Sequence, residues 1–342
     1  MEAVDVRGRF VWHQLMTRDV PGAKKFYARL VGWKALPWPL DPAYTVCHSD
    51  AGPVAGIMEI PADLPGEVPS HWLQYIGTRD VDGLADAAVR AGGSIVKPPS
   101  DMQGAGRYAV LKDPQGAVFA IIDPENAKPE SNEVPPLGTF SWHELATSDN
   151  EAAFAFYSGL FGWDAITRMD MGPAGIYLIF GSNGVQRGGM YIKPPENPGP
   201  PSWLPYASVP NADEGYAVAL SIGAKGTVPP MDVPDGGRIA NVLDPSGAAF
   251  AVYDQRSRAP QAQPAAKPKA AATVKARAKP KLKSRPKKSA PARKKAPAKK
   301  KVAKKTAKKR LKKLVKTAVR KYQAAKKKFT SRKKSKAVRR KK

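Results

Sequence analysis

Residues Phe10–Leu36 read FVWHQLMTRDVPGAKKFYARLVGWKAL, and residues Phe140–Ile166 read FSWHELATSDNEAAFAFYSGLFGWDAI. Trp12, His13, Leu15, Thr17, Asp19, Ala23, Phe26, Tyr27, Leu30, Gly32 and Trp33 all return at a constant offset of 130. Working outward, HWLQYIGTRDVDGLADAAVRAGGSIVKPPSDM from His71 is echoed by SWLPYASVPNADEGYAVALSIGAKGTVPPMDV from Ser202. GRYAVLKDPQGAVFAIID from Gly106 is echoed by GRIANVLDPSGAAFAVYD from Gly237, the offset now being 131. A unit this long is a duplicated domain and not a solenoid repeat.

Within the first copy, Val11–Thr17 reads as a strand. Asp19 is placed to cap a helix whose first turn contains Pro21, where a missing N–H costs nothing. Ala23, Phe26, Tyr27 and Leu30 form one apolar stripe at helical spacing, and Gly32 stops the helix. Tyr44–His48 and Val54–Ile60 read as strands around a turn at Asp50–Pro53, and the loop Pro61–Pro69 divides the copy in two. Trp72–Gly77 is again a strand and Val81–Ala91 a helix. Tyr108–Leu111 and Ala117–Ile122 form a hairpin around Asp113-Pro114-Gln115-Gly116, a type I turn pattern that Asp244-Pro245-Ser246-Gly247 repeats. The pattern predicts an α+β fold, helices covering one face of mainly antiparallel sheet, with domains at 1–123 and 139–255 and a linker over 124–138. The Gly104–Gly106 run neither follows a strand nor opens a helix, which argues against dinucleotide binding.

The chain has 342 residues and a net charge of +28, an average over two unlike parts. From Arg256 onward there are 39 Lys and Arg and no acidic residue, which leaves the first 255 residues at −11. The single Cys47 excludes an intramolecular disulfide framework and suits a reducing compartment. There is no apolar signal core at the start and no apolar run long enough to span a bilayer, so a cytoplasmic protein is expected.

The ordered set, an opening strand, then Asp19…Phe26-Tyr27…Gly32-Trp33, then the Asp-Pro-x-Gly hairpin, resembles the vicinal oxygen chelate superfamily. That superfamily includes glyoxalase I, extradiol dioxygenases and bleomycin-resistance proteins, and the resemblance covers residues 8–255. It implies paired βαβββ modules whose sheets curl into a cavity. Single-copy relatives pair two chains, so a duplicated chain is expected to be a monomer with an internal pseudo-dimer. The resemblance also locates the metal ligands of metal-using members at Trp12, Leu73 and Ala120, and at Trp142, Leu204 and Ala251. None of these side chains can bind a metal, so no cofactor is expected, a divalent ion being the alternative.

Side chains alternate across a strand. On this register His13, Leu15 and Thr17 face the helices, whereas Trp12, Gln14 and Met16 face the cavity. His13 and His143 then read as packed, hydrogen-bonded residues; a bulge that slipped the register would turn them inward as ligands. The candidate ligand site is Trp12, Gln14, Met16, Trp142 and Glu144, with Arg107 and Arg238 from the closing hairpins, unless the indoles simply fill the core. Glu144 is the only carboxylate in the set and a candidate base, its counterpart being Gln14.

Residues 256–297, with prolines at 260, 264, 268, 280, 286, 291 and 297, are expected to be disordered. Within residues 298–342, Leu311, Leu314, Val315, Ala318, Tyr322, Ala325 and Phe329 lie at helical spacing on a basic background. Residues 287–309, KKSAPARKKAPAKKKVAKKTAKK, resemble linker-histone tails. Lys287, Lys288, Arg293, Lys294, Lys295, Lys299, Lys300, Lys301, Lys304, Lys305, Lys308, Lys309, Arg310, Lys312 and Lys313 are the candidate contacts to DNA or RNA phosphates, a sequence-tolerant and salt-sensitive mode. An anionic membrane surface is the rival partner. Three whole-protein readings follow: a metal-independent small-molecule binder tethered to nucleic acid, a glyoxalase-type lyase or oxygenase with a relocated metal, and a histone-like, nucleoid-associated protein.

Overall fold

The computed structural model describes residues 4–255 apart from 63, 65–67, 131–133 and 198. The expectations for residues 256–342, including the disordered segment, the potential helix and the phosphate contacts, lie outside the described residues.

The first copy runs β1 (Phe10–Thr17), α1 (Val20–Val31), β2 (Lys34–Trp38), β3 (Asp41–Ser49), β4 (Gly52–Glu59), β5 (His71–Gly77), α2 (Val81–Arg90), β6 (Ser94–Met102), β7 (Gly106–Lys112) and β8 (Val118–Pro124). The second repeats it as β9 (Phe140–Thr147), α3 (Asn150–Phe161), β10 (Asp164–Asp170), β11 (Ile176–Ser182), β12 (Val185–Ile192), β13 (Ser202–Ser208), α4 (Ala212–Ser221), β14 (Lys225–Asp232), β15 (Arg238–Leu243) and β16 (Ala249–Asp254). Each copy forms one eight-stranded sheet, ordered β2-β3-β4-β1-β5-β8-β7-β6 in the first and equivalently in the second. β1 runs parallel to β4 and β5 to β8, while β1 and β5 are antiparallel, so two βαβββ modules join at the sheet centre. The α+β expectation holds. Two pairs of strands absent from the sequence reading, β2 with β10 and β6 with β14, are the edges of the sheets. Pro37, Pro98, Pro99, Pro229 and Pro230 sit in three of them, tolerated because an edge strand can forgo ladder donors.

Local chemistry sets the helix starts. Asp19 Oδ1 accepts from the backbone N–H of Gly22 at 2.9 Å, and Asp149 Oδ1 from that of Ala152 at 3.0 Å. Gly32 and Gly162 end their helices at φ of 77° and 71°.

The residues that the two copies share turn out to join them. Leu15, Phe26, Tyr27 and Trp33 pack in one core with Val242, Phe250 and Val252, and Phe156, Tyr157, Trp163 and Phe180 in another with Ile76, Leu111 and Phe119. Tyr27 donates its hydroxyl to Asp244 Oδ2 at 3.0 Å and accepts from the indole of Trp72 at 2.9 Å. Tyr157 does the same with Asp113 Oδ2 and Trp203, both at 3.0 Å. The Asp of each Asp-Pro-x-Gly turn thus holds its own turn with one oxygen and the other copy's helix with the other. Trp163 donates across the copies to the carbonyl of Gly8 at 2.9 Å. Gly8 adopts a φ of 70°, and a Cβ there would meet Trp163 Nε1 at 2.6 Å, so this approach requires glycine.

At the centre of this shared interior, His13 and His143 meet Nε2 to Nε2 at 2.7 Å. Phe10 stacks on His143 and Phe140 on His13, each at 3.7 Å. So short a contact holds one proton. His143 Nδ1 lies 3.2 Å from the carbonyl oxygen of Arg187 and donates to it, which assigns the shared proton to His13 Nε2. Burial pushes both imidazoles down, His143 to about 3. A bulge does occur in β1, between Phe10 and Trp12, but it precedes Trp12 and leaves the alternation from Trp12 onward intact. Its effect is to bring Phe10 to the helix side beside His143.

Candidate functional site

The sheet face opposite the helices carries Trp12, Gln14 and Met16 in the first copy, with Leu73 and Tyr75 of β5 paired across from Gln14 and Trp12. Trp12 Nε1 donates to Tyr44 Oη at 2.9 Å. Tyr44 and Tyr75 donate in turn to Gln14 Oε1 at 3.3 and 3.1 Å, while Gln14 Nε2 contacts Met58 Sδ at 3.0 Å. The second copy builds the same floor around a carboxylate. Trp142 Nε1 donates to Tyr177 Oη at 3.0 Å, and Tyr177 and Tyr206 donate to Glu144 Oε1 and Oε2, each at 2.8 Å. Burial raises the Glu144 carboxyl above its ordinary value; the phenol donors from Tyr206 and Tyr177 offset only part of that rise.

The two inner faces differ in how far they are filled. In the first copy Gln14, Leu73, Tyr108 and Ile122 are buried, and Trp12, Met102 and Val110 pack against that cluster. Leu40, at the β2–β3 turn, also reaches Gly104 at the β6–β7 turn, where a Cβ would stand 2.3 Å from Leu40 Cδ1. The ends of the first sheet therefore meet over its own apolar filling. Their counterparts in the second copy, Glu144, Leu204, Ile239 and Tyr253, are all half-buried. The inner-face residues of the second sheet in the buried apolar set among the described residues are Ala146, Tyr206 and Ala251. Asn241 replaces Val110, and its Oδ1 is buried with no hydrogen-bond partner.

Two candidate residues lie elsewhere, which corrects the reading of Arg107 and Arg238 as cavity groups. Arg107 is bound to Asp82 at 2.6 Å and Asp101 at 3.0 Å, and Arg238 to Asp213 and Asp232, both at 2.8 Å. Tyr108 and Val110 take the inner face of β7, so Arg107 and Ala109 point to the helix side, and each arginine ties its hairpin to the first turn of a helix. A surface groove of about 360 Å³ opens beside Arg107, lined also by Arg79, Asp101, Met102 and Asp123. Met16 is on the inner face, half-buried, next to the Gln14 network in register with Met58. The sequence reading missed Tyr44, Tyr75, Tyr177, Tyr191, Tyr206 and Asn241. The recurrence of Tyr75 as Tyr206 at offset 131 was the available signal for two of them.

Among the described residues no three His, Cys, Asp or Glu side chains converge, and no helix is long and apolar enough to cross a membrane.

Comparison with known proteins agrees with this architecture. Residues 9–121 and 139–252 each match the family model described as Glyoxalase/Bleomycin resistance protein/Dioxygenase superfamily. A Mycobacterium tuberculosis protein named "Putative glyoxylase CFP32" is 32% identical over 244 residues, covering 70% of this chain and 92% of that one. The anthracycline biosynthesis protein DauV of Streptomyces sp. strain C5 is 31% identical over 284 residues, covering 76% and 98%. The Mn(II)-bound glyoxalase from Novosphingobium aromaticivorans shares the fold, with a TM-score of 0.54 at 16% identity over 73% of this chain and 82% of that one. With two family matches in tandem, each on one of the two eight-stranded sheets, the chain belongs to the glyoxalase/bleomycin resistance protein/dioxygenase superfamily.

Proposed function

We propose that the protein binds a small organic molecule on the inner face of its second copy, without the metal ligands usual in the superfamily, and is tethered to nucleic acid by residues 256–342. The observation that carries this reading is the network of Trp142, Tyr177, Tyr206 and Glu144, in which Glu144 is half-buried where its first-copy counterpart Gln14 is buried under apolar filling. Aromatic walls with a few oriented polar groups are the usual composition of a small-molecule site. The case against a metal at the usual place rests on donor chemistry. Leucine and alanine side chains have no lone pair, and the indole N–H of Trp12 and Trp142 is a donor only. Support for the tether comes from the 39 cationic residues after Gln255 alone.

Thermal unfolding of the full-length protein tests the reading. Organic ligands that bind the native state raise Tm by mass action, about 2.7 kcal/mol of stabilisation at a hundredfold excess over Kd. An anthracycline is a suitable first probe, given the names of the Streptomyces relatives. Near-stoichiometric metal in the purified protein, with Tm shifts from divalent ions alone, would instead select a lyase or oxygenase that holds its metal at another place.

A further inference from the structure

We infer that the second copy's inner face is selective for organic cations, an ammonium group seated among Trp142, Tyr177, Tyr191 and Tyr206 against Glu144. This inference rests on the ligand site proposed above and specifies its substrate class.

Glu144 is a carboxylate in a wall of aromatic rings. Both of its oxygens accept from phenols, Tyr177 and Tyr206, at 2.8 Å. Among the described residues no basic side chain forms an ion pair with it, whereas Arg107, Arg187 and Arg238 are all matched with acids elsewhere. Neutral phenols satisfy hydrogen bonds but supply no countercharge, and a desolvated anion is stabilised most by a cation. The rings around it suit that cation. Tyr177 and Tyr191 stack with centroids 6.3 Å apart, and Trp142 is tied to Tyr177 through its indole N–H, so three ring systems adjoin the carboxylate. Aromatic faces carry negative potential and attract alkylammonium groups, most strongly where water is excluded.

The first copy supplies an internal comparison. It keeps the tryptophan and both tyrosines but has Gln14 for Glu144 and Met58 for Tyr191, and its face is filled. The negative charge and the extra ring occur only in the copy that is open. The unpartnered Asn241 Oδ1 adds an acceptor to the same face, which suits a ligand carrying N–H or O–H donors beside its cationic centre.

The test uses the full-length protein with choline, benzyltrimethylammonium and 3,3-dimethylbutan-1-ol, the uncharged carbon analogue of choline, with binding read from tryptophan fluorescence and calorimetry. The cations should bind about tenfold or more tightly than the alcohol, and Glu144→Gln should bring the ratio close to one. Glutamine already occupies the equivalent position 14 under two tyrosines, so this variant is expected to fold. Should it not, Tyr191→Met, which also copies the first repeat, should weaken cation binding several-fold while leaving the alcohol unchanged. Equal affinity for choline and its analogue, no binding of either cation, or an unchanged ratio in Glu144→Gln would each overturn the inference. If neutral organic ligands still raise Tm, small-molecule binding stands and only the cation selectivity falls; if nothing organic binds, both fail.

Discussion

Acid should destabilise this protein through the histidine pair between its two copies. His143 titrates near 3 in the folded chain because its ring is buried against Phe10; the Arg187 carbonyl beside its Nδ1 offsets only part of that drop. Its ordinary value is near 6.5, so between these limits the unfolded chain binds the extra proton and falling pH favours unfolding. Integrated for this one group, the loss is under about 0.2 kcal/mol at pH 7 and about 2 kcal/mol at pH 5, and it grows until about pH 3. His13 is shifted in the same direction, by burial and by the neighbouring imidazole, and adds to the loss. Three carboxyls work the other way. Asp113, Asp244 and Glu144 are raised by burial, so their protonation favours the native state as pH falls. The experiment is therefore differential. Urea unfolding, followed by tryptophan fluorescence at pH 7, 6 and 5, is compared between the native sequence and His143→Gln. Between pH 7 and pH 5 the native sequence should lose about 2 kcal/mol more than the variant, with unchanged m-values. The lysines and arginines after Gln255 do not titrate in this range and cannot mimic the difference. Parallel pH profiles would refute the argument, since they would mean that the imidazoles reach solvent or share a charge in the native state.

Other consequences are open to direct measurement. Tyr157→Phe should cost about 2–4 kcal/mol in urea unfolding, because it leaves a buried oxygen of Asp113 and the indole N–H of Trp203 without partners; a loss under about 0.5 kcal/mol would show that the hydroxyl is replaceable by water. Arg238→Ala should change stability little, as loss of a solvent-screened ion pair does, and should leave ligand affinity unchanged. A tenfold loss of affinity in that variant would return Arg238 to the site. For nucleic acid, log Kobs should fall linearly with log salt by about 0.9 for each phosphate neutralised, and deletion of residues 256–342 should abolish binding. A salt-independent affinity would rule out a phosphate-dominated contact.

The duplication made the fold legible, because offsets of 130 over Phe10–Leu36 and 131 from His71 onward leave little choice of architecture. The direction of β1 was legible too, since Trp12, Gln14 and Met16 alternate with His13, Leu15 and Thr17 and the bulge falls before them. Alternation failed at β7 for a physical reason. Tyr108 and Val110 are as apolar as Ala109 and Leu111 because both faces of that strand are covered, so the pattern carries no phase for Arg107. Edge strands such as β6 failed for another: prolines that exclude a central strand are harmless at the rim. The deepest gap concerned why the repeated residues repeat. Tyr27, Trp33, Tyr157 and Trp163 each have a partner that lies more than a hundred residues away or in the other copy's turn, a pairing that periodicity within one copy cannot express. These residues are fixed by the contact between copies, which frees the inner faces to diverge. Glu144 for Gln14, Tyr191 for Met58 and Asn241 for Val110 are three such changes, all on one surface. Constraint at the shared interior and drift on the inner face are the two sides of one arrangement, in which one copy's inner face is packed shut while the other's keeps a carboxylate within reach of solvent.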